Sequence, residues 1–236
     1  MKMSDRQKFR GFFRETVGFY EQLKKNNTKP WFDAHKNDYE AFVMEPAKAF
    51  VVALGDRLKS LSPQLFAVPK VNKSLFRINR DTRFSFDKRP FKTNLGIFFW
   101  EGIRERMECP GFYFHLEADK LLLAGGIYRF PKRALDHYRR MVVDPEHGQR
   151  FAEIITKISK IKGCELGEKH FKRIPAGYDP SHPNAEFLLY NGLHAGITTG
   201  IPEEFYSEKL VGYCWKIFNA LAPLHRWLVS IRLGQI

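Results

Sequence analysis

The segment Gly111-Phe112-Tyr113-Phe114-His115-Leu116-Glu117-Ala118-Asp119-Lys120-Leu121-Leu122-Leu123-Ala124 reads as two β-strands joined by a short link. Aromatic and aliphatic residues suit a pleated, half-buried surface. Glu117-Ala118-Asp119 is short enough for a hairpin connection. A third run of this kind, Gly96-Ile97-Phe98-Phe99-Trp100, lies just upstream, and Leu75-Phe76-Arg77-Ile78 is short and β-prone. Gly192 to Ile201 predicts one further strand.

Outward from this block the apolar period lengthens to that of helices. Phe9, Phe12, Phe13, Val17, Tyr20 and Leu23 predict an amphipathic helix at the start, broken by Asn26-Asn27-Thr28-Lys29. Thr28 or Lys29 then precedes Pro30, a residue favoured in a first helical turn. Trp31, Phe32, His35, Tyr39, Phe42 and Val43 continue one helical face, and Pro46 ends or kinks it. Phe50, Val51, Leu54, Leu58 and Leu61 predict another helix. After the strands, helices are expected over Lys132–Val143 and Glu146–Ile161, the second opened by Asp144-Pro145. Pro202 opens an amphipathic stretch through Leu221, and Leu224, Trp227, Leu228 and Ile231 predict a further packed helix. Helices, clustered strands and helices again, without βαβ alternation, give an α+β fold with a mainly antiparallel sheet. No linker divides the 236 residues, so one domain over 1–236 is expected, with a soft boundary near 129–133.

Composition narrows the function classes. A hydrophobic fraction of 44% supports a core and excludes general disorder. The balance of 39 basic against 26 acidic residues, +13, favours an anionic partner or ligand. The charged start has no apolar signal core, and no stretch has the roughly 20 apolar residues a spanning helix needs, so a cytoplasmic protein with no membrane role is expected. Cys109, Cys164 and Cys214 lie far apart and read as reduced thiols. The histidines include no H-x-H pair and no H-E-x-x-H, so no metal site is expected. No P-loop, dinucleotide fingerprint or G-x-S-x-G occurs, which leaves the cofactor and the reaction type open.

The charge concentrates between Lys70 and Lys92. Lys70, Lys73, Arg77, Arg80, Arg83, Lys88, Arg89 and Lys92 face only Asp81 and Asp87, and Phe76, Phe84, Phe86 and Phe91 interleave them. Pro90 and the polar residues make this a poor helix and a long connection. Crowded guanidinium groups repel unless an anion sits among them, and their planar forks match a carboxylate or phosphate. Arg77, Arg80, Arg83, Lys88 and Lys92 are therefore candidate anion-binding residues, with Asp81 as orienting partner. The competing reading pairs the arginines internally with Asp81 and Asp87.

The run Arg77-Ile-Asn-Arg80-Asp81-Thr-Arg83-Phe84-Ser-Phe-Asp87-Lys88-Arg-Pro90-Phe91 resembles the R-x-x-R-D-x-R-F-x-x-x-K-x-x-[YF] signature of domain of unknown function family 2461. Asn26 to Lys36, Pro110-Gly111-Phe112-Tyr113 and Ala124-Gly125-Gly126 resemble further motifs of that family, so the likeness covers nearly the whole chain. The family's name carries no established activity, so the resemblance leaves function open.

Secondary candidates are His35 and Tyr39, four apart on one helical face, with Trp31 and Lys36 beside them. His35 is a candidate acid/base group, because imidazole titrates near neutrality. His115, between aromatics in a strand, reads as a structural histidine, and Gly125-Gly126 as a turn. Three functions stay open. One is a site, with or without catalysis, for a phosphorylated or carboxylated small molecule. A second is nucleic-acid binding, and a third is a scaffold with a structural arginine–aspartate network.

Overall fold

The computed structural model describes residues 8–231. Its centre is a five-stranded sheet in the order β1-β2-β3-β5-β4: β1 Leu95–Trp100, β2 Gly111–Leu116, β3 Lys120–Ile127, β4 Cys164–Leu166 and β5 Leu193–Gly200. Every pairing is antiparallel. The β2–β3 hairpin closes on a hydrogen bond from Glu117 N–H to the Lys120 carbonyl, 2.9 Å. Helices α1 Arg14–Lys25, α2 Lys29–Ala34, α3 Lys36–Asp38 and α4 Glu45–Leu58 precede the sheet. Helices α5 Lys132–Val143 and α6 Pro145–Ser159 leave β3, and α7 Leu210–Ser230 ends the described chain. The fold is α+β, as the clustered strands imply.

Period-two alternation sorts the strand residues. Leu95, Ile97 and Phe99 of β1, Phe112, Phe114 and Leu116 of β2, and Leu121 and Leu123 of β3 are buried on one face. Phe12 and Phe50 lie against Phe114, with ring centroids 6.1 and 5.0 Å away, and Phe218 of α7 meets Phe112 at 5.1 Å. A second apolar cluster forms where Ile127, Leu193 and Ala195 meet α5, α6 and the end of α7. β3 and α7 contribute to both clusters, which therefore share one sheet and one helix across the 129–133 segment.

Five local readings need correction, one of them Gly125-Gly126, which lie inside β3 and not in a turn, with Gly126 at φ +139°. The first helix begins at Arg14, not at Phe9. Gly11 has φ +111°, a conformation that favours glycine, and a Cβ there would lie 2.4 Å from Ser207 N. The segment before Arg14 is thus held against the chain ahead of α7, with Phe12 N–H donating to the Phe205 carbonyl at 2.9 Å. Pro46 does not end its run. A π-helical turn, Tyr39–Met44, passes straight into α4. Pro46 has no N–H for the turn before it, and the Thr16 hydroxyl donates instead to the Phe42 carbonyl, 2.6 Å, four residues earlier. Leu75 to Ile78 makes only isolated bridges, Leu75 to Ile97 and Asn79 to Phe91. Finally, the two helices expected after Pro202 are a short 3-10 turn, Glu203–Tyr206, followed by the single helix α7, with Pro223 inside it. Burial of Leu221, Ala222, Leu224, His225, Trp227 and Leu228 around that proline offsets the roughly 3 kcal/mol it costs a helix interior.

Other local signals hold. The Thr28 side chain accepts from Trp31 N–H at the start of α2, and the Asp144 side chain accepts from Glu146 and His147 N–H at the start of α6.

Candidate functional site

The helices cover one face of the sheet. The other face opens into a cavity of about 480 Å3. Cross-strand pairs put Phe98, Tyr113, Ala124 and Gly196 in one row on this face, and Gly96, His115, Leu122 and Thr198 in the next. Small residues make room: Gly111, Ala124 and Gly126 are in its floor. A Cβ at Gly96 would lie 2.9 Å from the Tyr113 hydroxyl and 3.1 Å from the Phe76 ring. That glycine clears the position of the phenol. Phe76, Lys92 and Asn94 enter from the basic connection, Met107 from the β1–β2 link, and Tyr128 and His194 from the β3 and β5 side.

The polar groups of this face form a chain. The Tyr113 hydroxyl is 2.9 Å from His115 Nδ1, and His115 Nε2 is 3.2 Å from a carboxylate oxygen of Glu117. The Asn94 side-chain amide approaches the same Nδ1 at 3.4 Å. Lys120 pairs with Glu117 at 3.4 Å. Burial lowers the His115 pKa from its ordinary value, opposed by Glu117. The Tyr113 phenol is pushed up to about 12 by burial first and then by Tyr128, while Arg106 pulls the other way.

One cation, Lys92, lines the cavity, and Arg106 lies on the Phe76 ring just outside that lining. Neither Lys92 nor Arg106 has an ion pair among the described residues. Both lie over Phe76, with Lys92 Nζ 5.5 Å and the Arg106 guanidinium carbon 4.3 Å from its centroid. Lys92 has its pKa lowered by burial and then by Arg77 and Arg106. Arg106 Nη1 is buried and has no hydrogen-bond partner, and the same holds for His194 Nδ1. An unpaired buried donor costs free energy that an anion would repay.

The remaining arginine-loop residues lie further out, on an irregular hairpin. Arg80 N–H donates to the Pro90 carbonyl, 2.8 Å, and Lys92 N–H to that of Ile78, 2.8 Å. The Arg80 guanidinium pairs with Asp87 at 2.7 Å, a carboxylate shared with Arg89. Asp81 instead takes Arg83, by two side-chain hydrogen bonds of 3.0 and 2.7 Å. Its carboxyl is held down at about 2 by those bonds to Arg83. Lys88 Nζ donates to the Thr82 carbonyl, 3.0 Å, within the same hairpin. Arg77 is exposed and is near enough to act on both Lys92 and Asp81. Of the five cations singled out, Lys92 lines the cavity and Arg77 adjoins it, while Arg80, Arg83 and Lys88 are engaged in the hairpin.

His35 and Tyr39 go separate ways. The His35 ring stacks on Trp31 at 4.1 Å, and its Nδ1 is 2.8 Å from the Trp31 carbonyl. It borders a second depression of about 400 Å3 with Arg14, Glu15, Trp31 and Asp38. Tyr39 is buried against Phe19 and Phe32, and burial raises its phenol above the ordinary value.

Tyr113 and His115 alternate with Phe112, Phe114 and Leu116 in the sequence, but that pattern reads His115 as structural and Glu117 as part of the hairpin link, and so does not show the chain the three form. Arg106 carries no such signal, because it comes from an irregular link. Among the described residues no group of three His, Cys, Asp or Glu side chains could hold a metal. No helix among them is long and apolar enough to cross a membrane.

These features define a class: an α+β protein whose antiparallel sheet packs helices on one face and lines a largely apolar cavity with the other. Within that class the chain belongs to the family described as conserved hypothetical protein (DUF2461), whose model matches residues 15–227. No curated protein matches the chain.

Proposed function

We propose that the protein binds a small phosphorylated or carboxylated molecule in the open-face cavity. Lys92 and Arg106 meet the anion, and Arg77 adds to the field at its edge. The hairpin residues Arg80, Arg83 and Lys88 draw anions toward the mouth, with Asp81 orienting Arg83. The observation that carries this reading is Lys92, without an ion pair, in the lining of an apolar-walled cavity, together with the buried, unpartnered Nη1 of Arg106 behind the same Phe76 ring. A group that remains charged in proteins is costly to leave so, and a bound anion removes the cost.

The test is thermal unfolding of the wild type, Lys92→Ala and Arg106→Gln with phosphate, nucleotides and small dicarboxylates. A binder raises the wild-type midpoint in proportion to its saturation, and the variants lose that rise. No rise with any anion removes the reading.

One observation favours nucleic acid as a second reading. Phe84 and Phe86 are 94% and 106% exposed, beside Arg83, Lys88 and Arg89. Exposed aromatics among cations are what stacking on single-stranded bases uses. Binding that persists above about 150 mM salt, where charges are screened over roughly 8 Å, supports it. Loss of all binding there, or binding that survives replacement of both phenylalanines by alanine, removes it.

A further inference from the structure

Tyr113, His115 and Glu117 occupy alternate positions on and just beyond β2 and form a hydrogen-bond chain with a fixed direction. An ionised carboxylate only accepts, so the His115 Nε2 facing Glu117 carries hydrogen. Nδ1 is then the acceptor, and it takes the Tyr113 hydroxyl hydrogen at 2.9 Å. The Asn94 amide donates toward the same nitrogen. With its hydrogen committed to His115, Tyr113 offers the cavity only oxygen lone pairs. Those lone pairs repel an anion brought in by Lys92 and Arg106.

A proton on His115 reverses the chain. Nδ1–H then donates to the Tyr113 oxygen, and the phenol hydrogen is released toward the cavity as a donor. Glu117 neutralises the imidazolium from the other side. We infer that the cavity takes up a proton with its anion: His115 receives it, and Tyr113 becomes the hydrogen-bond donor that touches the ligand. The inference rests on the reading of the cavity as an anion site. It also narrows the ligand to a small aromatic phosphate or carboxylate, because Phe98, Met107, Leu122 and Tyr128 give the walls an apolar, aromatic character.

The surrounding charges set the sign. Burial and Lys120 keep His115 neutral in the empty protein, while Glu117 favours its charged form. The cavity cations Lys92 and Arg106 oppose a further positive charge until an anion offsets them. The bound state therefore has the higher His115 pKa, and affinity rises as pH falls between the bound and free values.

The experiment is calorimetric titration with benzoate and with phenyl phosphate near pH 6.5, the ordinary imidazole value, in two buffers of different ionisation enthalpy. Benzoate is fully ionised there, so its proton count belongs to the protein. Wild type is expected to take up a substantial fraction of one proton per benzoate. His115→Gln binds more weakly and takes up none, and Tyr113→Phe loses about tenfold in affinity, the equivalent of one good hydrogen bond. Because substitutions in β2 risk unfolding, nitrogen NMR of wild-type His115 gives an independent reading. The free protein should show Nε2–H with bare Nδ1, and saturation with benzoate should protonate both nitrogens. Saturation by one probe alone assigns the ligand chemistry, carboxylate or phosphate, and carries the inference if proton uptake accompanies it. Binding without proton uptake, or with an unchanged His115 tautomer, overturns the inference and leaves the anion site standing. Failure of both probes to bind overturns the anion site as well.

Discussion

The two faces of β1, β2 and β3 are built from alternate residues of the same strands, yet they differ in every physical respect. Toward the helices stand Ile97, Phe99, Phe112, Phe114, Leu121 and Leu123, each at most 1% exposed. Toward the cavity stand Gly96, Phe98, Gly111, Tyr113, His115, Leu122, Ala124 and Gly126. The first set fills volume. The second mixes small residues with apolar ones and the polar Tyr113 and His115, and leaves volume empty. Burial of the first set stabilises the sheet enough for the second to carry a hydrogen-bond chain and cavity cations that contribute little to folding. A strand with one face closed has its register fixed, and here that register also aligns Tyr113, His115 and Glu117.

The contrast is broken most severely from the closed side. Phe114→Ala removes a ring packed between Phe12 and Phe50. We expect a loss of about 3–5 kcal/mol in denaturant unfolding. A comparable loss from Tyr113→Phe, one residue away, would abolish the distinction between the faces; that variant is expected to lose only about 1 kcal/mol.

Next comes the carboxylate on the closed side. Glu101, just after β1, is 3.1 Å from Nε2 of the buried His225 and accepts from the Ser62 hydroxyl. Its pKa is held below the ordinary 4.5 by the His225 hydrogen bond first, with Ser62 helping and burial opposing. The folded value is the lower one, so this stabilisation is fully present above about pH 4.5 and is lost as pH falls through the folded value. Glu101→Ala is expected to cost about 3 kcal/mol at neutral pH, since it strands buried partners. Acid unfolding curves of the variant should be flatter than wild type in that window; equal slopes would show that Glu101 does not titrate against folding.

The open side should respond in binding rather than in folding. Lys92→Ala and Arg106→Gln are each expected to weaken benzoate or phenyl phosphate about tenfold, roughly 1.4 kcal/mol. Arg106→Gln should leave the unfolding free energy unchanged or raise it, because it removes an unpaired buried donor. A large destabilisation would make Arg106 a structural residue and weaken the anion reading.

The smallest effect is expected on the hairpin. Asp81 and Arg83 pair on the surface, both exposed. Asp81→Asn should leave the unfolding midpoint within error, as exposed pairs do. A measurable drop would show that the hairpin is anchored through this pair.

Much of the architecture was legible because it depends on periodicity. Four strands, β1, β2, β3 and β5, and the β2–β3 hairpin follow from runs such as Gly111 to Leu116, and the caps at Thr28 and Asp144 follow from local chemistry. β4, only Cys164–Leu166, was too short to leave a pattern. The continuity of α7 through Pro223 was not legible, because the penalty of a helical proline is local while the burial that offsets it comes from elements distant in sequence. Composition drew attention to the basic connection, and two of its members, Phe76 and Lys92, do line the cavity. The pairing of Arg80 with Asp87 rather than Asp81 was not readable, because it depends on where the hairpin turns. The chain turns near Arg83 and Phe84, and that brings Asp87 back beside Arg80.

By itself, then, the sequence determined the family, the α+β class and an excess of cations, since each of these is written in local pattern or in composition. Tertiary structure alone decided which face of the sheet stayed open, that Lys92 lines it with Tyr113 and His115, and that Arg106 meets Lys92 over Phe76 at its edge. The reason is physical. A strand's alternation tells which residues share a face, but which face is covered depends on helices α4 and α7, and these reach it from opposite ends of the chain.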